Sequence, residues 1–222
     1  KLWGYFLRTN RLWPLPTPQN RLILAKEYPA IRYPAFFSFY GYPRAVCLFQ
    51  DRVFYAGTKN NPQTIWGSVT GDYENFAPGA LDDVGLNVTI NSGHFEEILW
   101  LQPFQGNIIG GTYRSEYVIN GGGGSTTSSS IPLTPKNIDA LLQSSYGGSS
   151  IQPVIIQNDL LYVQRALQTA YQFTFNIYQS LYASKNLNLL NNLVTTSGFK
   201  EFVYKENPNR IVWFTTLDNQ LI

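Results

Sequence analysis

The chain places short apolar runs on either side of short polar turns, a pattern typical of β-hairpins rather than of helices. Four such pairs occur, at residues 44–49 with 52–58, 98–101 with 107–111, 154–156 with 160–164, and 201–204 with 210–214. A further strand candidate follows each pair, at residues 64–69, 115–119, 170–175 and 220–222. The pattern predicts four consecutive antiparallel units.

The four predicted hairpins recur at a nearly constant interval. The first apolar residues after their turns are Val53, Ile108, Leu160 and Ile211, which are 55, 52 and 51 residues apart. Such an interval matches one blade of a β-propeller, in which four-stranded units of ~40–50 residues pack radially. We therefore predict an all-β, propeller-like array of about four antiparallel blade units. The alternative is a β-sandwich or barrel whose hairpins are evenly spaced by chance.

The predicted units span about 41–92, 93–150, 151–198 and 199–222. The last unit stops at Ile222 without a returning strand, which leaves a sheet edge able to pair with another segment. Since propellers need roughly four to eight blades to close, we expect an incomplete ring, or a fragment that further segments of the same protein complete.

Three segments fall outside the repeat. Residues 1–40 carry five prolines between positions 14 and 34, which predicts an extended arm. Residues 120–130 are rich in Gly and Ser and predict a flexible loop, although the run at 121–125 also matches a common engineered linker. Apolar residues Leu187, Leu190, Leu193 and Val194 fall at helical spacing and predict a short helix over residues 185–194.

The amino-acid composition supports the all-β assignment and reduces the number of function classes that fit the chain. Charged residues make up 14% of the chain and aromatic residues 15%, against roughly 25% charged residues in an ordinary domain. Few charges and many aromatic side chains favour strands with surfaces buried against neighbours. The net charge of +2 does not favour a dedicated nucleic-acid binder. No apolar stretch approaches the roughly 20 residues that span a membrane, so we expect no membrane span.

The residues that most often carry chemistry are scarce. Cys47 is the only cysteine and lies in an apolar run, which predicts a buried, unreactive thiol. His94 is the only histidine and follows Gly93, which predicts an exposed loop position. One cysteine and one histidine do not supply the ligands of a multi-Cys or multi-His zinc site, and they do not indicate a catalytic Ser-His pair.

Two pairs of adjacent carboxylates, Asp82-Asp83 and Glu96-Glu97, are candidates for glycoside hydrolysis. Neighbouring residues on a strand point to opposite faces, so neither pair converges on a substrate by itself. A cross-pair of Asp83 with Glu97 stays open. The Gly-rich run at 121–124 lacks the Lys-Ser/Thr and the helix of a phosphate-binding loop. We therefore predict no catalytic, cofactor-binding or metal-ligating residues, and a protein that is not an enzyme.

One block of sequence is long enough to indicate a family. It contains Tyr42-Pro43-Arg44, Phe49-Gln50-Asp51-Arg52, Ala56-Gly57-Thr58, Thr64-Ile65-Trp66 and Gly71-Asp72-Tyr73-Glu74-Asn75-Phe76. The block closely resembles the tail tubular, or nozzle, proteins of short-tailed bacteriophages (podoviruses) and related prophages. The resemblance continues in residues 133–138, 144–149, 152–154, 161–165, 207–208 and 211–213 and covers about 41–222, with a departure at 165–168.

The resemblance implies a structural role in the virion. Nozzle proteins form a sixfold homo-oligomeric ring below the portal and adaptor of a short tail, with propeller-like domains around the channel for DNA ejection. A member would be assembled in the bacterial cytoplasm and would contact adaptor and tail-fibre proteins, with DNA passing non-specifically. Within the block, we expect residues 71–76 to form a buried or half-buried corner, in which Asp72 or Asn75 bonds local amides and Phe76 packs inward.

Two other classes of protein fit the same strand pattern. A carbohydrate- or receptor-binding β-propeller would cluster exposed aromatic side chains with Asn or Asp at the mouth of its loops. A propeller glycoside hydrolase would bring two or three carboxylates together near its axis.

Overall fold

The computed structural model describes residues 41–122, 131–189 and 195–222. These residues form an all-β protein with four antiparallel sheets and no α-helix in the described ranges. The predicted arm at 1–40, most of the Gly-rich loop and the second half of the predicted helix lie outside them. The helix prediction is wrong for its first half, because Lys185 and Asn186 are the last residues of a strand, with Leu187 to Leu189 in a bend and turn.

The first two sheets each contain four strands in sequence order, so every strand pairs with its neighbour along the chain. Sheet I consists of β1 (Ala45–Phe49), β2 (Arg52–Ala56), β3 (Thr64–Gly67) and β4 (Leu86–Thr89). Sheet II consists of β5 (Ile98–Phe104), β6 (Asn107–Thr112), β7 (Glu116–Asn120) and β8 (Asp139–Ser144).

The third sheet repeats this order and the fourth has two named strands. Sheet III consists of β9 (Val154–Ile156), β10 (Asp159–Val163), β11 (Ala170–Asn176) and β12 (Leu181–Asn186). Sheet IV consists of β13 (Phe199–Lys205) and β14 (Ile211–Thr216). Residues 220–222, predicted as a strand, return along β14 through a single bridge between Leu221 and Thr215.

Each predicted hairpin forms the first two strands of a separate sheet, as the repeat predicted. In sheets I to III the hairpin closes with a two-residue turn, whose first residue is Gln50, Gln105 or Gln157. All three glutamines adopt positive φ, at 47°, 47° and 58°. Such left-handed turn residues match the twist of the flanking strands. The three units therefore share the backbone conformation of this turn as well as the spacing of their hairpins.

The sheets pack on one another in chain order. β1 contacts β5, β8 contacts β12, and β9 contacts β13. One hydrophobic cluster lies between sheets I and II and includes Cys47, Phe54 and Ile108. A second lies between sheets II and III and includes Trp100 and Tyr162, and a third lies between sheets III and IV around Phe199. Sheet II is therefore covered on both faces.

Successive side chains of a strand point to opposite faces of its sheet, so one strand can contribute to two hydrophobic cores. On β10, Leu160 and Tyr162 face sheet II whereas Leu161 and Val163 face sheet IV. On β5 the pairing shifts by one residue between Ile98 and Trp100. This bulge turns two consecutive large side chains, those of Leu99 and Trp100, toward the same core.

Candidate functional site

The structure separates the carboxylates that the sequence singled out. Asp83 lies in the loop between β3 and β4 (residues 68–85, hereafter the β3–β4 loop), and Glu97 lies just before β5. Since β4 runs from that loop toward the segment before β5, the two carboxylates stand at opposite ends of β4. Four extended residues alone span about 13 Å, beyond the ~5–10 Å of a glycosidase pair. The structure thus does not bring Asp83 and Glu97 together as an acid–base pair.

Glu96 and Glu97 have different environments. The Glu96 side chain is buried and accepts hydrogen bonds from Thr112 Oγ1 at 2.7 Å, Ser115 Oγ at 3.3 Å and Tyr117 OH at 3.3 Å. Glu97 Oε1 forms an ion pair with Arg44 Nη1 at 3.0 Å near the surface. Glu96 therefore anchors the β6–β7 turn, because these three donors belong to β6, β7 and the residues between them.

The ion pair of Arg44 with Glu97 lines a cleft of about 410 Å³ at the junction of sheets I and II. Its other lining residues are Tyr42, Gly57, Thr58, Lys59, Pro62 and Phe95. The Phe95 side chain is 75% exposed, which is unusual for a large apolar ring. An exposed aromatic ring beside a cation and a carboxylate offers stacking and hydrogen bonding to a small polar ligand.

A buried guanidinium organises the β3–β4 loop. Arg52 Nη1 donates to the carbonyls of Ser68 and Val84, each at 2.6 Å, and Nη2 donates to the carbonyl of Asp82 at 2.7 Å. Burial lowers the pKa of Arg52, and the nearby Asp83 carboxylate opposes that shift. Arg52 therefore holds both ends of the loop against sheet I.

The same loop contains the predicted corner at 71–76, which the structure supports in part. Asn75 Oδ1 accepts a hydrogen bond from the backbone N–H of Ala77 at 3.0 Å, as expected. The Phe76 ring is half-buried, with its centroid 5.7 Å from that of Tyr55. However, Gly71 to Glu74 are exposed rather than buried, and Tyr73 OH reaches out to donate to Asp51 Oδ1 at 2.7 Å.

A second buried carboxylate lies between sheets II and III. Glu116 accepts a hydrogen bond from Ser144 Oγ, which lies 3.0 Å from Ser184 Oγ, and Ser184 Oγ accepts from Tyr162 OH at 3.0 Å. Burial raises the pKa of Glu116 to about 7, although the hydrogen bond from Ser144 opposes the shift. This group joins β7, β8, β10 and β12 and is shielded from solvent, so it serves packing rather than substrate binding.

The remaining candidates occupy the positions that the sequence predicted. Cys47 is buried between sheets I and II, and desolvation raises the pKa of its thiol to about 12. His94 is exposed in the segment before β5. Within the ranges that the structure describes, no three His, Cys, Asp or Glu side chains lie together as a metal site requires. Over those same ranges, no helix has the length and apolar character needed to cross a membrane.

Sequence reasoning missed the burial of three charged residues, Arg52, Glu96 and Glu116. A signal existed for Arg52, because it stands in phase with Phe54 and Ala56, both of which face the core from β2. Glu96 and Glu116 gave no such signal, since their burial depends on a turn and on a neighbouring sheet. Comparison with protein-family models and with curated proteins gives no match.

Proposed function

We propose that this protein is a structural component of the tail nozzle of a short-tailed bacteriophage and forms part of the channel for DNA ejection. The observation that carries the proposal is the stacking of consecutive antiparallel sheets, with equivalent hairpins in the same place in each. Four-stranded sheets that pack in chain order are how propeller blades are arranged. The sequence block at 41–76 gives this arrangement its family resemblance.

The packing supports a scaffold rather than a catalyst. Trp100, Tyr162, Phe173 and Tyr182 fill the core between sheets II and III, and the buried Tyr162 hydroxyl donates a hydrogen bond to Ser184 Oγ. The candidate carboxylate pair is divided between two ends of β4. A conduit must also release DNA, which suits a chain of net charge +2 without a dense basic run.

The proposal also covers the oligomeric state of the protein and its location in the virion. The protein would act as a homo-oligomer in the virion tail, next to adaptor and tail-fibre proteins, after assembly in the bacterial cytoplasm. Each sheet would serve as one blade-like unit of a ring, completed by further segments or copies.

Immunogold electron microscopy tests this role. Antibodies raised against the purified chain are applied to phage particles produced by a host that carries the gene. We expect gold particles at the tail, and no labelling with pre-immune serum. Labelling of capsids alone, or none on tails that display control tail antigens, contradicts the proposal.

The cleft at Tyr42 and Phe95 supports a second candidate, a glycan-binding propeller. Its exposed aromatic rings can stack on a sugar face, and Arg44, Lys59 and Glu97 can bond sugar hydroxyls. A glycan array with the wild-type protein and Phe95→Ala tests it, with Tyr178→Ala as the control because Tyr178 is exposed outside the cleft. Binding that Phe95→Ala abolishes and Tyr178→Ala preserves favours this candidate, and an array without signal excludes it for the glycans displayed.

A further inference from the structure

The two faces of sheet I differ in how they are covered. The residues Ala45 and Cys47 point into the core with sheet II, whereas Val46 and Leu48 on the same strand are 56% and 64% exposed. The strand register places Val46 opposite Tyr55, and Tyr55 opposite Trp66. Cross-strand partners share a face. We call this apolar side, defined by Val46, Leu48, Tyr55 and Trp66, the outer face of sheet I.

The outer face borders an acidic loop. The Phe76 ring of the β3–β4 loop lies against Tyr55, so the loop folds along one end of this face. The loop carries Asp72, Glu74, Asp82 and Asp83 and has no Lys or Arg. The nearby Arg52 is directed to backbone carbonyls inside the loop, and Lys136 lies 3.8 Å from Asp82. An apolar face with an acidic border would bind a segment that is both apolar and basic.

Residues 1–40 have this composition. They contain six Lys or Arg residues and one acidic residue, Glu27, a net charge of +5, whereas the whole chain carries +2, so residues 41–222 carry −3. The segment is also rich in large apolar side chains, among them Trp3, Phe6, Trp13, Phe36 and Phe37. It joins directly to the chain that leads into β1, so its concentration near the outer face is high.

We propose that residues 1–40 dock intramolecularly on the outer face of sheet I, with apolar side chains over Val46 and Leu48 and basic side chains toward the β3–β4 loop. The charge balance favours this occupant over the sheets of a second copy, because residues 41–222 of both copies carry the same sign of charge. The inference does not depend on the tail function.

Cysteine labelling of the full chain tests this docking. Leu48→Cys is compared with Tyr178→Cys, because the Tyr178 side chain is 100% exposed and lies on the β11–β12 turn. Wild-type protein reports the background from the buried Cys47. A neutral maleimide should modify Leu48→Cys about tenfold more slowly than Tyr178→Cys, as expected for an arm that is docked about nine-tenths of the time.

A charge-reversal variant identifies the occupant. Replacing Arg8, Arg11 and Arg21 by Glu in the Leu48→Cys background should bring labelling close to the Tyr178→Cys rate. Labelling of Leu48→Cys within about twofold of Tyr178→Cys overturns the proposal, since the face would then be open most of the time. Protection that survives the charge reversal, or that grows with protein concentration as a second copy would require, overturns it as well.

Discussion

Gln105 Nε2 donates a hydrogen bond to the backbone carbonyl of Asn158 at 2.9 Å. The two residues belong to the first turns of sheets II and III, so the bond joins equivalent turns of successive sheets. Gln105→Ala should lower the free energy of unfolding by about 1 kcal/mol, measured from urea midpoints. Gln157→Ala is the control, because Gln157 also has positive φ but its side chain has no hydrogen bond among the described residues. Gln105 Oε1 also accepts a hydrogen bond from Tyr182 OH of sheet III at 3.3 Å, so equal losses in the two variants would show that these inter-sheet bonds contribute nothing.

Glu116 should make stability depend on pH. Its pKa is about 7 in the folded protein, against 4.5 for an unperturbed glutamate, because burial disfavours the charged form. Between these values the folded state binds more protons than the unfolded chain. The contribution is therefore fully present below about pH 4.5 and is lost as pH rises through about 7, by up to about 3 kcal/mol.

Glu116→Gln should remove most of this pH dependence, because the amide is neutral at every pH in the range. Urea unfolding at half-unit steps from pH 4.5 to 8 measures it, and Glu97→Gln at the surface is the control. A slope that Glu116→Gln leaves unchanged would assign the effect to other groups.

We expect that lysine cannot replace Arg52 without a loss of stability. One ammonium cannot reach the carbonyls of Ser68, Asp82 and Val84 together, so at least one buried acceptor loses its donor. Arg52→Lys should cost about 1–3 kcal/mol and expose the β3–β4 loop to proteases. Arg44→Lys should change stability by less than about 1 kcal/mol, since its ion pair is at the surface. Unchanged protease resistance in Arg52→Lys contradicts the role assigned to Arg52.

Gly111 faces Trp100 across the β5–β6 pair, and a Cβ at Gly111 would lie 2.0 Å from Trp100 Cε2. Gly111→Ala should therefore displace the buried indole and cost about 1–3 kcal/mol, with a change in tryptophan fluorescence. The control is Gly93→Ala, where an added Cβ has no neighbour within 4 Å. A Gly111→Ala protein as stable as Gly93→Ala would show that the core between sheets II and III is loosely packed.

The sequence predicted the hairpins because two local signals agreed there, apolar runs and short polar turns. It did not predict the last strand of sheets I to III. β8 (Asp139–Ser144) and β12 (Leu181–Asn186) mix polar and apolar residues and are only partly buried, so tertiary pairing rather than local pattern makes them strands.

The helix that the apolar spacing predicted over residues 185–194 does not begin at Lys185, because Lys185 pairs with Gln172 as part of strand β12. The candidate site residues also divide into those set by local sequence and those set by tertiary contacts. The positions of Cys47 and His94 could be predicted from their neighbours in sequence, whereas the hydrogen bonds of Glu96 and Glu116 depend on residues 16 to 28 positions away.

Single-particle electron microscopy of the assembled protein tests directly whether successive sheets belong to a structural ring around a DNA channel, as we propose. We expect ring-shaped particles with an open axial channel, in which sheets I to IV follow one another around the ring. Particles without a channel at every protein concentration, or density in which two of the hairpins share one continuous sheet of a sandwich, would contradict it.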